Sequence, residues 1–167
     1  MKIQTLGCIA ILVIASCCSQ LAINIKQAVA SQDTLTSEEM QKIQKVIKKG
    51  LKGFANRDIS SIMETISPNY SRVIDNIVID YAGYKIIAET TDAKFFSDHL
   101  SCSLNNMEIL QSNIADNKAV IEFKYRLYVF NKTSMQWVTY EIIQEVTLSK
   151  EDTEWVIITS GDRKDIY

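Results

Sequence analysis

The sequence predicts an α+β domain: three N-terminal helices packed on a curved antiparallel sheet, a meander of four long strands, with one short strand between the second and third helices. Two observations carry this. Apolar residues recur at three- and four-residue spacing through the first half, then alternate strictly with polar ones through the last third. The only proline, Pro68, and the short polar breaks fall between these runs, not inside them.

Thr36 precedes Glu39 by three, the spacing of a reciprocal helix cap. Met40, Ile43, Val46, Ile47, Leu51 and Phe54 then share one helical face. Gly50 and Gly53 either weaken the end of that helix or admit a closely packed neighbour. Asn56-Arg57-Asp58 breaks the pattern, and Asp58 is placed to cap a second helix. Its Ile59, Ile62, Met63 and Ile66 lie on one side, and Pro68 ends it. Tyr70–Ile79 is rich in β-branched residues, which suits a short strand. Tyr81–Leu100 reads as the third helix, with Gly83 and Thr90-Thr91 as candidate breaks.

The meander is expected at Met107–Ile114, Lys118–Asn131, Gln136–Leu148 and Trp155–Ser160. Asp116-Asn117 suits a tight hairpin, and Asn131–Gln136 and Ser149–Glu154 are the polar connectors. Pairing Phe130 with Trp137 sets Arg126 opposite Glu141 on one face, with Lys124 diagonal to Glu145. On the other face Leu127 meets Tyr140, Val129 meets Val138 and Tyr125 meets Ile142, so both strands bury the same side.

Ahead of this domain, residues 1–30 read as an export signal. Lys2 precedes the apolar run Leu6–Ser16, which is too short to span a bilayer comfortably. Two processing sites compete. Ile14-Ala15-Ser16-Cys17 resembles a lipoprotein box ending in a lipidated Cys17, and Ala28-Val29-Ala30 resembles an ordinary signal-peptidase site. Residues 31–36 form a short tether and 37–167 a single domain. The expected location is therefore periplasmic or secreted, or lipid-anchored, with membrane contact only through an anchor or an uncleaved signal. The formal charge is −2, and removing Lys2 and Lys26 makes it more negative, which argues against nucleic acid as partner. Cys8, Cys17 and Cys18 lie in or beside the leader, so Cys102 has no certain internal partner and reads as a small buried hydrophobe. With one histidine, His99, read as a surface or helix-end residue, no metal or cofactor is expected.

Helix, Asn56-Arg57-Asp58 turn, second helix, Pro68, third helix, then a meander closing at Trp155-Val156-Ile157: from about Glu38 to Ser160 this order resembles the nuclear transport factor 2-like superfamily, which includes SnoaL-like and ketosteroid-isomerase-like proteins. The resemblance implies a cone, with helices on the concave face of a curved sheet, a pocket at the open end and, in many relatives, dimers through the sheet. The isomerase-type site needs a carboxylate base with a tyrosine and a protonated acid. The first helix here offers no tyrosine on its apolar face.

Polar residues on the inner sheet face mark a candidate pocket: Tyr125, Tyr140, Gln144 and, if Leu148 pairs with Trp155, Thr159. Pairing Ala115 with Lys118 sets Glu108 opposite Tyr125, a carboxylate and hydroxyl able to act as base and donor; a one-residue slip turns Glu108 outward. Tyr128, Phe130 and Trp137 on the outer face beside Arg126 and Glu141 suit a dimer surface. Lys42, Lys45, Lys49 and Lys52 line one side of the first helix, a solvated face or a contact for anionic headgroups. The expectation is an exported, non-catalytic module whose pocket takes a small apolar ligand or which holds an envelope protein. The alternatives are a cofactor-independent isomerase or dehydratase using Glu108 and Tyr125, and a structural homodimer.

Overall fold

The computed structural model describes residues 37–161 and the backbone of 164–166. The export signal, both cleavage sites, the tether and the Thr36 cap lie outside the described residues. The chain divides into two units, Met1–Met40 and Gln41–Tyr167, and the architecture below is that of the second.

Residues 37–56 are helical, and their part within this unit, 41–56, is α1. Ile43 and Ile47 of its predicted stripe are 0% and 2% exposed. The helix ends where the sequence breaks. Arg57 takes a left-handed φ of 62°, Asp58 N donates to Gly53 O at 2.7 Å and Arg57 N to Phe54 O at 3.1 Å. These two bonds satisfy carbonyls that a helix end otherwise leaves bare. Asp58 then caps α2 (Ile59–Met63), its carboxylate accepting from Ser61 N at 3.0 Å and Ser61 Oγ at 2.6 Å. The same hydrogen bonds lower the Asp58 pKa.

Helix α2 is shorter than its apolar spacing suggests. Residues 65–67 leave it to pair with the last long strand: Ile157 N donates to Thr65 O at 2.8 Å and Ser67 N to Ile157 O at 2.9 Å. Ile66 therefore sits in a parallel bridge, not on a helix face. The expected short strand is a hairpin, β1 (Ser71–Ile74) and β2 (Ile77–Asp80), turning through Asp75 and Asn76 with φ of 50° and 64°. Two left-handed residues give a turn whose twist matches its strands. Helix α3 (Tyr81–Asp98) runs unbroken: Asp80 caps Gly83 N at 2.8 Å, and Thr90 Oγ1 donates to Ile86 O at 2.8 Å. Both suspected breaks are thus satisfied locally.

Strands β3 (His99–Ala115), β4 (Lys118–Asn131), β5 (Gln136–Glu151) and β6 (Glu154–Ser160) lie in that order in one antiparallel sheet, and β7 (Lys164–Ile166) also pairs with β5. The β4–β5 register is the expected one from Phe130↔Trp137 through Arg126↔Glu141 and Tyr125↔Ile142. Ile121, Phe123, Tyr125, Leu127 and Val129 are all at most 3% exposed, the buried half of the β4 alternation.

Two strand assignments need correction. β3 begins at His99, not Met107, because its first half is an edge strand of polar and small residues that carries little hydrophobic pattern. It also slips register three times against β4, and each bulge bends the strand. β5 extends to Glu151, leaving only Asp152 and Thr153 as its connection to β6, with Asp152 at φ 55°. The result is an α+β unit with its helices against one face of a curved sheet.

Candidate functional site

Side chains from α1, α2, α3 and the inner sheet face enclose a cavity of about 290 Å³, at the small end of the range for ligand sites. Its apolar wall includes Ile47, Leu51 and Phe54 of α1, Ile87 and Ala88 of α3, and Phe123, Val146 and Ile157 of the sheet. Tyr125 and Gln144 line it, as their inward register demands, with the Tyr125 ring stacked on Phe123 at 5.8 Å.

Other expected pocket residues lie elsewhere. Tyr140 pairs with Leu127 further along the sheet, where its ring meets His99 edge-on at 6.2 Å. Thr159 pairs with Thr147 and does not line the cavity. The tight Asp152-Thr153 turn sets Leu148 against Ile157 rather than Trp155, and a bulge before Leu148 leaves Ser160 opposite Val146. Ser160 takes the pocket position instead.

Glu108 and Tyr125 are not brought together. Ala115 does pair with Lys118, but the extra residue between Ile109 and Gln111 moves Glu108 opposite Lys124. Its carboxylate lies 3.5 Å from Lys124 Nζ with the side chain 63% exposed. A second bulge sets Asn106 and Met107 against Tyr125, with Asn106 at φ 48°.

Sequence reasoning missed Arg72, Tyr84 and Ser160, three polar residues from three elements that meet at the cavity wall. Arg72 Nη1 donates to Ser160 Oγ at 3.5 Å, and the buried Tyr70 hydroxyl shares a 2.9 Å hydrogen bond with the same oxygen. The Tyr70 and Tyr84 rings lie 4.7 Å apart. The one available signal was Arg72 itself, a lone cation within a β-branched run. Among the described lining residues it is the only charged one.

On the outer face, Trp137 is 50% exposed and stacks on Tyr128 at 4.6 Å with 5° between the planes; Phe130 meets Trp137 edge-on at 5.4 Å. Beside them Arg126 Nε donates to Glu141 at 2.7 Å, and this bond holds the Glu141 carboxyl below its ordinary value. Lys42, Lys45, Lys49 and Lys52 are exposed along α1, with Lys49 bonded to Glu64. His99 does end α3, but it is buried, with Nδ1 against Phe95 O at 2.7 Å. Cys102 is partly buried, which pushes its thiol up to about 11. Among the described residues, no cluster of His, Cys, Asp and Glu is arranged to hold a metal ion.

The fold superposes on solved structures over most of the chain. A nuclear transport factor 2-like superfamily protein from Salmonella enterica serovar Typhimurium superposes with a TM-score of 0.59 at 18% identity, covering 79% of this chain and 94% of that one. The chain has the nuclear transport factor 2-like fold. A ketosteroid isomerase-like protein from Erwinia carotovora atroseptica gives a TM-score of 0.59 at 15% identity, covering 78% and 98%. A type 2 hexachlorocyclohexane dehydrochlorinase gives 0.57 at 10% identity, covering 79% and 91%. No protein-family model and no curated protein matches the sequence. A nuclear transport factor 2-like scaffold hosts unrelated chemistries, so the site, not the fold, has to argue function.

Proposed function

We propose that this protein is an exported, non-catalytic binding module whose nuclear transport factor 2-like cavity takes a small apolar ligand. One observation carries the reading. The described lining residues are mostly apolar and include no carboxylate or histidine, while Glu108 faces solvent on an ion pair with Lys124. A proton-transfer reaction needs a base within hydrogen-bond reach of its substrate, and this wall offers none of the usual carboxylate or imidazole bases. Export is supported by Lys2, the Leu6–Ser16 run and the two processing sites.

Native mass spectrometry on the protein isolated from its own host tests both parts. The expected chain begins at an acylated Cys17 or at Ser31 and carries a small bound mass. Ala88→Trp, which fills the cavity from α3, should remove that mass. An unprocessed chain counts against export, and a bound mass that survives Ala88→Trp places the ligand elsewhere.

The outer face favours a second role, homodimer formation. A half-exposed tryptophan stacked on Tyr128 is costly to leave in water and fits the aromatic centre of an interface. Sedimentation of the wild type as a dimer and of Trp137→Glu as a monomer is the expected outcome; monomers in both remove this role.

A further inference from the structure

We propose that Gln144 anchors the ligand of the cavity, and that this ligand is a small uncharged ring compound with one lactam group, its N–H and carbonyl side by side. This rests on the binding reading above and adds the chemical class and the residue that selects it.

Gln144 stands where the sheet otherwise buries hydrocarbon. On its own strand and face, Ile142 and Val146 are buried; across the ladder its direct partner Phe123 and the neighbouring Tyr125 are buried too. Gln144 keeps intermediate exposure and lines the cavity. An amide among such neighbours costs stability unless its donor and acceptor are both met. Among the described residues, its side-chain amide has no hydrogen-bond partner. The other polar groups of the wall differ. Ser160 Oγ bonds to the Tyr70 hydroxyl at 2.9 Å, and Thr65 Oγ1 donates to Ile62 O at 2.7 Å. Arg72, Tyr84 and Tyr125 each have interactions within the protein, and Thr91 is exposed.

The chemistry of that amide selects the ligand class. A ligand that fills the cavity excludes water from Gln144 and so has to meet its amide directly. A carboxamide presents an acceptor and, beside it, a donor in one plane. A lactam presents the complementary donor and acceptor on adjacent atoms, so two parallel hydrogen bonds form. Rotating the Gln144 amide by half a turn only turns the ligand over. An ionised carboxylate or a ketone has no donor for the Gln144 oxygen and leaves it bare. With Arg72 already in contact within the protein, the wall gives no reason for a charged ligand. The apolar part of the ring then lies against Phe54, Ile87 and Phe123, and a volume of about 290 Å³ suits a compound of one or two fused rings. A single amide set in an apolar wall is the pattern of a pocket that orients what it binds.

The probes are oxindole and 2-indanone, which share a bicyclic skeleton and differ by an N–H in place of a methylene. They are titrated by calorimetry into the full chain and into its Gln144→Met and Ala88→Trp variants. The readout is the ratio of the two affinities, because the different hydration of the free probes cancels between proteins. Gln144→Met, close in shape but without the amide, should lower the oxindole preference about tenfold or more, the effect of losing a buried hydrogen-bond partner. The variant should weaken 2-indanone less, since that probe accepts from Gln144 but cannot donate to it. Ala88→Trp should abolish binding of both. Without probe, Gln144→Met should keep or raise the urea midpoint, because the amide has no protein partner to lose; the same unfolding curve shows that the variant folds. A midpoint well below wild type would reveal such a partner and overturn the assignment. A ratio unchanged by Gln144→Met overturns it too and leaves the apolar cavity standing. Binding of neither probe, or binding that survives Ala88→Trp, overturns the pocket reading itself.

Discussion

Gly53 sits where α1 must let α2 come close, and replacing it sets two known effects against each other. In a helix interior alanine is favoured over glycine by about 0.8–1.0 kcal/mol. A Cβ at Gly53, however, would stand 2.9 Å from Ile62 Cγ1 and 3.0 Å from both Asp58 O and Ile62 N. Two of these three atoms are backbone, and they hydrogen-bond to each other at 3.2 Å across the first turn of α2. Neither can rotate aside, so α2 or its cap has to shift. Overpacking of this kind costs about 1–3 kcal/mol, which outweighs the propensity gain. Gly53→Ala is therefore expected to destabilise by roughly 0.5–2 kcal/mol. Gly50→Ala is the control: its Cβ meets Thr65 Oγ1 at 3.1 Å and nothing else closer than 3.8 Å. A single side-chain oxygen gives way more readily than backbone, so this variant should match or exceed the wild type. Urea unfolding followed by circular dichroism reads both. The Gly53→Ala midpoint should fall by about 0.5–1 M relative to wild type. A Gly53→Ala midpoint at or above that of Gly50→Ala would refute the close approach of the two helices.

Three further outcomes follow from the same geometry. Phe123→Ala removes a ring that is 2% exposed from the pocket wall, and urea unfolding should show a loss of about 3–5 kcal/mol. With its thiol held near 11 by burial, Cys102 should label slowly with iodoacetamide at neutral pH, and labelling of the folded chain should accelerate as pH approaches that value; rapid neutral labelling would contradict its burial. The lowered Glu141 pKa contributes stability above the ordinary glutamate range, and that contribution is lost as pH falls through the folded-state value. Between about pH 6 and about pH 3 the wild-type urea midpoint should therefore drop further than that of Glu141→Gln; parallel curves would show that the Arg126 bond does not persist in solution.

Much of the architecture was legible because it is local. The Asp58 cap, the Arg57 break and the β4 alternation each depend on a few neighbouring residues, and all appear where the sequence puts them. The six-residue gap read at Ser149–Glu154 was harder, because polar residues at a strand end look like loop. Its collapse to two residues shifted the β5–β6 register, and the bulge between Thr147 and Leu148 then put Ser160 on the pocket face in place of Thr159. The candidate site was correspondingly half legible. Tyr125 and Gln144 follow from strand alternation, but Arg72 and Tyr84 reach the cavity only through the placement of a hairpin and a helix distant in sequence.

By itself the sequence determined the element types, the break between α1 and α2, the inner face of β4 and β5, and the register of their hairpin. All of these are set by side-chain period and by turn residues acting over a few positions. Only the tertiary structure decided which way Glu108 points, because side chains alternate with a period of two and one extra residue in β3 reverses the face. It also decided what Gly53 is for and which cation meets the cavity. Those answers depend on how separate elements pack, a balance of many weak contacts that no short stretch of sequence contains.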